Sequence, residues 1–297
     1  MTPLETAFRR HRPQMWSLAY RLTGTAADAD EVVQEAFARA REHDPDPTRD
    51  LRPWLTRVAA NLAKDLLRRR KRTPYVGPWL PEPLCTAGLA GWRSAPSDPE
   101  AAASIRQSVD YAWMVALEAL TPTQRVVLVL RDALGLTGAE TAEILGSTAG
   151  SVKVQLHRAR RAIEAVGSPS GARLTDGVLL TRLGAALAVG DAAGVASLLA
   201  PDVVVTGDGA GVYAAARRPI IGARRAARLY LALMVRGRRM GFRAVPRMLG
   251  HRPALAWTMR DAADGWAPRG ALVFGVDAGR VARVWSVQAP GKVGLGA

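Results

Sequence analysis

The stretch Thr137–Glu164, TGAETAEILGSTAGSVKVQLHRARRAIE, decides the reading of this chain. Thr137 followed three residues later by Glu140 has the spacing of a capping box, which predicts a helix starting there. Ala139, Ala142 and Leu145 give that helix an apolar stripe, and Gly146 suits the left-handed residue that ends it. Thr148 is placed to cap a second helix, in which Val152, Leu156, Ala159 and Ile163 recur at i, i+4, i+7 and i+11 on one face. Lys153, Gln155, His157, Arg158, Arg160 and Arg161 occupy its other faces. A short turn between two helices, the second apolar inside and cationic outside, is what a recognition helix in a DNA major groove needs. A solvated surface helix is the plainer alternative; the coincidence of caps, turn and cationic face argues against it.

Working upstream, Thr121-Pro122-Thr123-Gln124 repeats the capping-box spacing with proline at the first helical position, predicting a helix to about Ala133. Another helix is expected over about Ile105–Ala119, so residues 105–166 read as one all-helical domain. Residues 73–104 are rich in proline, glycine and small residues and read as a linker. That linker still carries Tyr75, Val76, Trp79, Leu80, Leu84, Leu89 and Trp92, more apolar surface than a solvated segment keeps. Residues 1–72 read as a second all-helical domain. A helix over about Leu4–Leu22 ends at Gly24. Thr25 and Asp28 open another to about Arg41, with a core stripe of Ala29, Val32 or Val33, Ala36, Phe37 and Ala40. Its opposite face is acidic: Asp28, Asp30, Glu31 and Glu35. After the turn-rich Glu42–Asp50, a third helix starts near Pro53 with Trp54, Leu55, Val58, Leu62 and Leu66 as its stripe. Arg57, Asn61, Lys64 and Arg68 line another face, and the helix runs into LLRRRKR, a basic edge suited to a nucleic-acid strand.

Downstream, Gly167–Arg173 reads as a short linker, and the pattern then changes. Leu174–Val189, Ala192–Leu199 and Arg224–Arg236 read as helices. Val203–Thr206, Phe242–Leu249, Ala254–Met259, Trp266–Val276 and Val281–Val287 read as strands separated by turns. This order predicts an α+β cone over residues 174–297.

The totals limit the choices. The chain has 297 residues, a formal net charge of +15 and one cysteine, Cys85. The charge favours a polyanionic partner. A lone cysteine excludes an internal disulfide and a multi-cysteine zinc site, and the scattered histidines show no metal-ligand spacing, so neither metal nor cofactor is expected. The N-terminus has the periodicity of a helix rather than of a signal peptide, and no apolar run is long enough to span a membrane, so a cytoplasmic protein is expected. Residues 174–297 hold 17 of the 41 Lys+Arg, 7 of the 26 Asp+Glu, and no glutamate.

These residues resemble a known family. FRRHRPQMWSLAYRLTGTAADADEVVQEAFARA with LRPWLTRVAANLAKDLLRRRKR resembles the promoter-melting domain of extracytoplasmic-function sigma factors. LTPTQRVVLVLRDALGLTGAETAEILGSTAGSVKVQLHRARRAI resembles their −35-reading domain. YVGPWLPEPL and the third domain resemble the subgroup with a SnoaL-like C-terminal extension. The resemblance implies two all-α sigma domains, the second with the helix-turn-helix, followed by an α+β SnoaL-like cone. It implies that Asp28, Asp30 and Glu31 contact the clamp of core RNA polymerase. It places Asn61, Lys64 and the loop before Pro53 at the −10 element of promoter DNA, and Arg57 and Arg68, on the same helix face as Asn61 and Lys64, are expected to join them there. It places Lys153, Val154, His157 and Arg158 at the −35 element, with Gln155 departing from the basic residue common there; Ser151, Gln155, Arg160 and Arg161 of the same helix are expected to contact that DNA beside them. The subgroup's Asp-Gly-Gly-Gly-Lys signature appears here as Asp208-Gly209-Ala210-Gly211-Val212, altered at its alanine and without its lysine. Trp79, Leu80 and Pro81 are expected to dock on residues 174–297, with Asp208 in the interdomain contact. The extension leaves room for a small ligand or a protein regulator.

A sigma factor regulated by its extension has no catalytic chemistry of its own. Two other readings stay open. One is an enzyme fused to a DNA-binding head, with Asp202, Asp208, Tyr213, His251 and Trp257 as pocket residues, although no convergent acid–base pair is visible. The other is a plain operator-binding repressor, which needs neither the acidic face nor the strand-binding helix.

Overall fold

The computed structural model describes residues 3–43, 50–85, 110–167, 176–262 and 265–293. Leu89, Trp92, most of the 42–50 loop, the start of the helix expected at 105 and all but Gly167 of the linker expected at 167–173 lie outside the described residues. The chain divides into two compact units. The first comprises Met1–Pro74, Leu89–Val109 and Trp113–Ser168; the second comprises Tyr75–Gly88, Asp110–Ala112 and Pro169–Ala297.

The first unit is all-helical. Helices α1 (Pro3–Thr23), α2 (Ala26–His43) and α3 (Arg52–Arg72) pack on one another. The α2 core is the expected one: Ala29, Val32, Val33, Ala36, Phe37 and Ala40 are all buried. In α3 the buried line is Leu55, Ala59, Ala63 and Leu67, with Ala60 beside it, while Trp54, Val58, Leu62 and Leu66 are half-buried. The stripe is therefore rotated from the expected one. Alanine reads as weakly apolar in a sequence, yet its small side chain lets helix backbones approach closely. Helix α4 (Tyr111–Ala116) tightens into a 3-10 turn, Leu117–Ala119. Helix α5 (Pro122–Leu128) has both arms of its Thr121–Gln124 capping box and widens into a π-turn at Val129–Ala133. Helices α6 (Gly138–Leu145) and α7 (Ala149–Val166) form the helix-turn-helix. Helix α3 also packs against α5 and α6.

The second unit carries α8 (Asp176–Val189), α9 (Ala192–Leu198), α10 (Ala223–Arg239) and six strands. These are β1 (Leu199–Asp208), β2 (Ile220–Ile221), β3 (Arg243–Leu249), β4 (Arg252–Thr258), β5 (Arg269–Asp277) and β6 (Arg280–Val287). The sheet order is β2-β1-β6-β5-β4-β3, antiparallel except for the β1–β6 pair. Side chains alternate between the two sheet faces. Val205, Val284, Phe274, Leu272 and Leu255 share the face that packs on the helices. The opposite face carries Asp208, Val287, Ala271 and Ala256 in one cross-strand row and Thr206, Trp285, Val273 and Ala254 in the next. Ala254, Ala271, Val273 and Val287 on that second face are fully buried. The proline-rich linker is tied to this face at Asp208, whose carboxylate accepts from the Leu80 amide.

Candidate promoter interface and linker seat

In the helix-turn-helix, Thr137 Oγ1 accepts from the Glu140 amide at 3.2 Å and the Glu140 carboxylate accepts from the Thr137 amide at 2.6 Å. Hydrogen bonding to the carboxylate from Thr137, its backbone amide first and its side chain second, holds the Glu140 carboxyl below its ordinary pKa. Gly146 closes α6 at φ +58°, and the Thr148 hydroxyl accepts from the Ser151 amide at 3.1 Å to start α7. Val152 and Ala159 of α7 are buried, Leu156 and Ile163 half-buried, as their spacing requires. Ser151, Lys153, Val154, His157, Arg158, Arg160 and Arg161 are exposed, and Gln155 is half-buried. The Arg160 fork is already occupied: Nη2 donates to Asp132 Oδ1 at 2.7 Å and Nε to Oδ2 at 3.2 Å. That pairing raises the guanidinium's pKa and leaves Arg160 as a strut between α7 and the π-turn.

On α3, Arg57 and Arg68 are exposed while Asn61 and Lys64 are half-buried. Lys64 Nζ donates to Asn61 Oδ1 at 3.2 Å, so the two side chains stand together. Arg57 Nη2 donates to the carbonyl of Glu143 in α6 at 2.8 Å, capping the end of the first helix of the helix-turn-helix. On α2, Glu31 is exposed, Asp28 and Asp30 are half-buried, and Asp30 pairs with Arg12 at 3.2 Å.

The second unit contains a buried carboxylate with a full set of hydrogen bonds. Asp208, at the end of β1, is fully buried and its carboxylate accepts four hydrogen bonds. Oδ1 receives the Tyr75 hydroxyl at 2.5 Å and the Ala210 amide at 3.1 Å; Oδ2 receives the Leu80 amide at 2.9 Å and Lys292 Nζ at 2.7 Å. Lys292 also donates to the Leu80 carbonyl at 2.9 Å and the Tyr75 hydroxyl at 3.2 Å. Its ammonium lies 3.8 Å from the centre of the Trp79 ring. The ion pair therefore grips both backbone groups of Leu80, whose side chain is buried with Pro81. A buried pair needs such saturation, because each charge left without partners costs several kcal/mol.

Further along the linker, Tyr111 donates its hydroxyl to the Pro81 carbonyl at 2.9 Å and meets Trp285 edge-on at 5.6 Å. Gly250, in the β3–β4 turn, donates to the Leu84 carbonyl and accepts from the Tyr111 amide, both at 2.9 Å. Arg252 forks onto Asp110, with Nε–Oδ2 at 3.0 Å and Nη2–Oδ1 at 3.1 Å.

The altered signature has a geometric reading. A Cβ at Gly209 would lie 2.3 Å from the Tyr213 carbonyl oxygen, and one at Gly211 would lie 2.8 Å from the Val76 side chain. Both must be glycine. Ala210 sits between them at φ +54°, a strained left-handed conformation for alanine. Sequence reasoning missed Lys292, whose ammonium pairs with Asp208 at 2.7 Å. Its signal was available: it is the only lysine among the 17 cations of residues 174–297. The other pocket residues named above do not gather round Asp208. Asp202 is exposed on β1, Tyr213 and Trp257 belong to a separate apolar cluster, and His251 lies in the β3–β4 turn.

Residues 7–73 match the family Sigma-70 region 2, and residues 111–163 match Sigma-70, region 4. The chain is 41% identical over 236 residues to the ECF RNA polymerase sigma factor SigJ of Mycobacterium tuberculosis, covering 77% of this chain and 72% of that protein. It is 32% identical over 165 residues to the probable ECF RNA polymerase sigma factor SigI of the same species, covering 54% of each chain. The crystal structure of SigJ superposes with a TM-score of 0.75 at 34% identity, covering 97% of each chain, so the likeness extends through the α+β unit. No helix among the described residues is long and apolar enough to cross a membrane. The region 2 helices, the helix-turn-helix and the C-terminal α+β unit thus follow one another on one chain, and this chain belongs to the ECF RNA polymerase sigma factors, in the group that carries a C-terminal SnoaL-like domain.

Proposed function

We propose that this chain works in the cytoplasm as a sigma factor restrained in cis, with its SnoaL-like domain acting as a binding module and not as an enzyme. The observation that carries the restraint is the grip of Asp208 and Lys292 on the Leu80 peptide, because residues 73–104 join the two sigma regions. In this reading Lys153 and Arg158 of α7 read the −35 element, with Ser151, Val154, Gln155, His157 and Arg161 around them. Arg160 holds the helix in place. Asn61 and Lys64, with Arg57 and Arg68, hold bases of the −10 element. Asp28, Asp30 and Glu31 meet the polymerase clamp. Arg57 must leave the Glu143 carbonyl to reach a strand, which makes its hydrogen bond a feature of the resting state. Polymerase competes with the linker seat, and a difference in affinity between seated and free linker is all the switch requires. An enzymatic role for Asp208 is disfavoured chemically: a carboxylate with four donors has no lone pair to spare for a substrate proton.

A ligand within the cone has one observation behind it. The Tyr230 hydroxyl of α10 is buried with no hydrogen-bond partner among the described residues, and burial raises its pKa. A ligand with an acceptor group would satisfy it.

The test is run-off transcription with purified core polymerase, comparing the full chain with a truncation after Val166. Promoter-dependent transcript is expected from both, and more from the truncation. Equal output overturns the restraint in cis. No promoter-dependent transcript from either overturns the assigned activity.

A further inference from the structure

Helix α10 presents an arginine stripe that the sigma activity described above does not use. Arg224, Arg225, Arg228, Arg236 and Arg239 are exposed along one side of it, with Ala232 and Val235 between them. Ala226, Ala227 and Gly237 face the other way and are buried. The helix contains no acidic residue, and the domain contains no glutamate. Some arginines of this domain, Arg236 of the stripe among them, are engaged. Arg252 forks onto Asp110, Arg238 donates to the Ala188 carbonyl, and Arg236 lies over the Trp266 ring at 5.1 Å. Among the described residues, Arg224, Arg225, Arg228 and Arg239 have no carboxylate partner and no side-chain hydrogen bond. Arg224–Arg228, Arg225–Arg228 and Arg236–Arg239 are like-charge pairs at i,i+4 or i,i+3, each of which weakens the helix. A helix surface built for stability alone alternates signs; this one keeps guanidinium groups that stay charged at every physiological pH.

We infer that the outer face of α10 is a phosphate-binding surface for duplex DNA. From Arg224 to Arg239 the helix rises about 22 Å. Duplex DNA offers one phosphate charge about every 1.7 Å of its axis, so a rigid row of guanidiniums of that length meets several phosphates without needing a base sequence. The same chain carries a helix that reads duplex DNA. The stripe therefore meets the duplex as a tethered group, and contacts too weak to hold DNA alone add to overall affinity. Seven aspartates across the whole of residues 174–297 leave little local charge to neutralise the row. Each arginine that neutralises a phosphate releases counterions, which makes its contribution visible as salt dependence.

The experiment assembles holoenzyme from core polymerase and the full chain. It measures affinity for a promoter duplex, and for a duplex of equal length without the promoter, over a range of salt. The variant is Arg224→Ala, Arg225→Ala, Arg228→Ala and Arg239→Ala together; a second variant places lysine at the same positions. Expected for the alanine variant is a salt slope smaller by about 3 to 4, near one unit per arginine, and an affinity about tenfold or more weaker at low salt on both duplexes. The lysine variant should keep the wild-type slope, because phosphate neutralisation needs charge rather than a planar fork. An unchanged slope in the alanine variant overturns the inference. So does weaker capture of core polymerase with the DNA slope intact, which places an acidic protein face on the stripe, or a lysine variant as impaired as the alanine one. Wild-type holoenzyme that binds both duplexes alike at every salt concentration would instead fault the promoter-reading role of α7, a separate outcome.

Discussion

Ala210 and Glu140 show how single residues set local terms that no neighbour corrects. Ala210 holds φ +54° between two glycines whose positions exclude any side chain. Relieving that strain with Ala210→Gly should stabilise the C-terminal unit by about 0.5–1 kcal/mol, after the extra chain entropy of glycine is subtracted. Chemical denaturation of the two proteins measures it, and a glycine variant less stable than wild type removes the strain argument. Glu140 gives a pH signature. Its folded pKa lies below 4.5, so the carboxylate's contribution to α6 is fully present above 4.5 and is lost as pH falls through the lower folded value. Glu140→Gln cannot accept as a charged group. Hydrogen exchange in α6 should therefore be faster in this variant at neutral pH, and the difference should close in acid. A difference independent of pH would show that the capping charge contributes nothing. Lys292 marks the limit of legibility at this scale. One lysine in an arginine-rich domain is an anomaly in composition, but nothing local to APGKV says that its partner is Asp208.

Among the elements, α7 and the linker carry opposite lessons. Caps and turn of the helix-turn-helix and the apolar stripe of α7 were legible, because each depends on residues within a few positions of one another, whereas in α6 the buried residues are Thr141, Ala142 and Ile144 and the expected Ala139 is exposed. What separates the exposed cations of α7 is tertiary: Arg160 is held by Asp132, whereas Lys153 and Arg158 are exposed. Lys153→Ala or Arg158→Ala should weaken −35 binding by about 1–3 kcal/mol if the side chain reaches a base edge. Competition binding with a selected promoter reads the effect, and wild-type affinity in both variants would remove these residues from the interface. For the linker, Trp79→Ala with Leu80→Ala deletes the ring under Lys292 and a buried side chain worth about 1.5–3 kcal/mol. Exchange protection should fall at the end of β1 and in β6, and promoter-dependent output should rise. If protection and output both match wild type, the seat does not control the linker. The α3 stripe was misplaced in the sequence reading for a packing reason. Leu55, Ala59, Ala63 and Leu67 are buried because alanine permits close helix contact, a property that hydropathy undervalues.

Over the whole molecule, a chain of net charge +15 keeps an acidic patch on α2. Asp30→Arg with Glu31→Arg reverses that patch on a helix whose core lies on its other side. The fold should survive and co-purification with core polymerase should fall sharply; retention at wild-type yield would detach the patch from the clamp. The sequence by itself determined the two helical sigma regions, the helix-turn-helix with its caps, the order of helices and strands in the C-terminal domain, and the apolar linker that should not stay in water. These follow from periodicity and capping, which act over a few residues and are written in order along the chain. Only the tertiary structure decided which sheet face the linker is tied to, that Asp208 and Lys292 grip the Leu80 peptide from opposite ends of the domain, and that Arg160 and Arg57 are held by Asp132 and Glu143. Those pairings join groups far apart in the chain. Their free energy comes from desolvation and mutual saturation of buried charge, which depend on where the backbone brings them and not on their spacing in sequence.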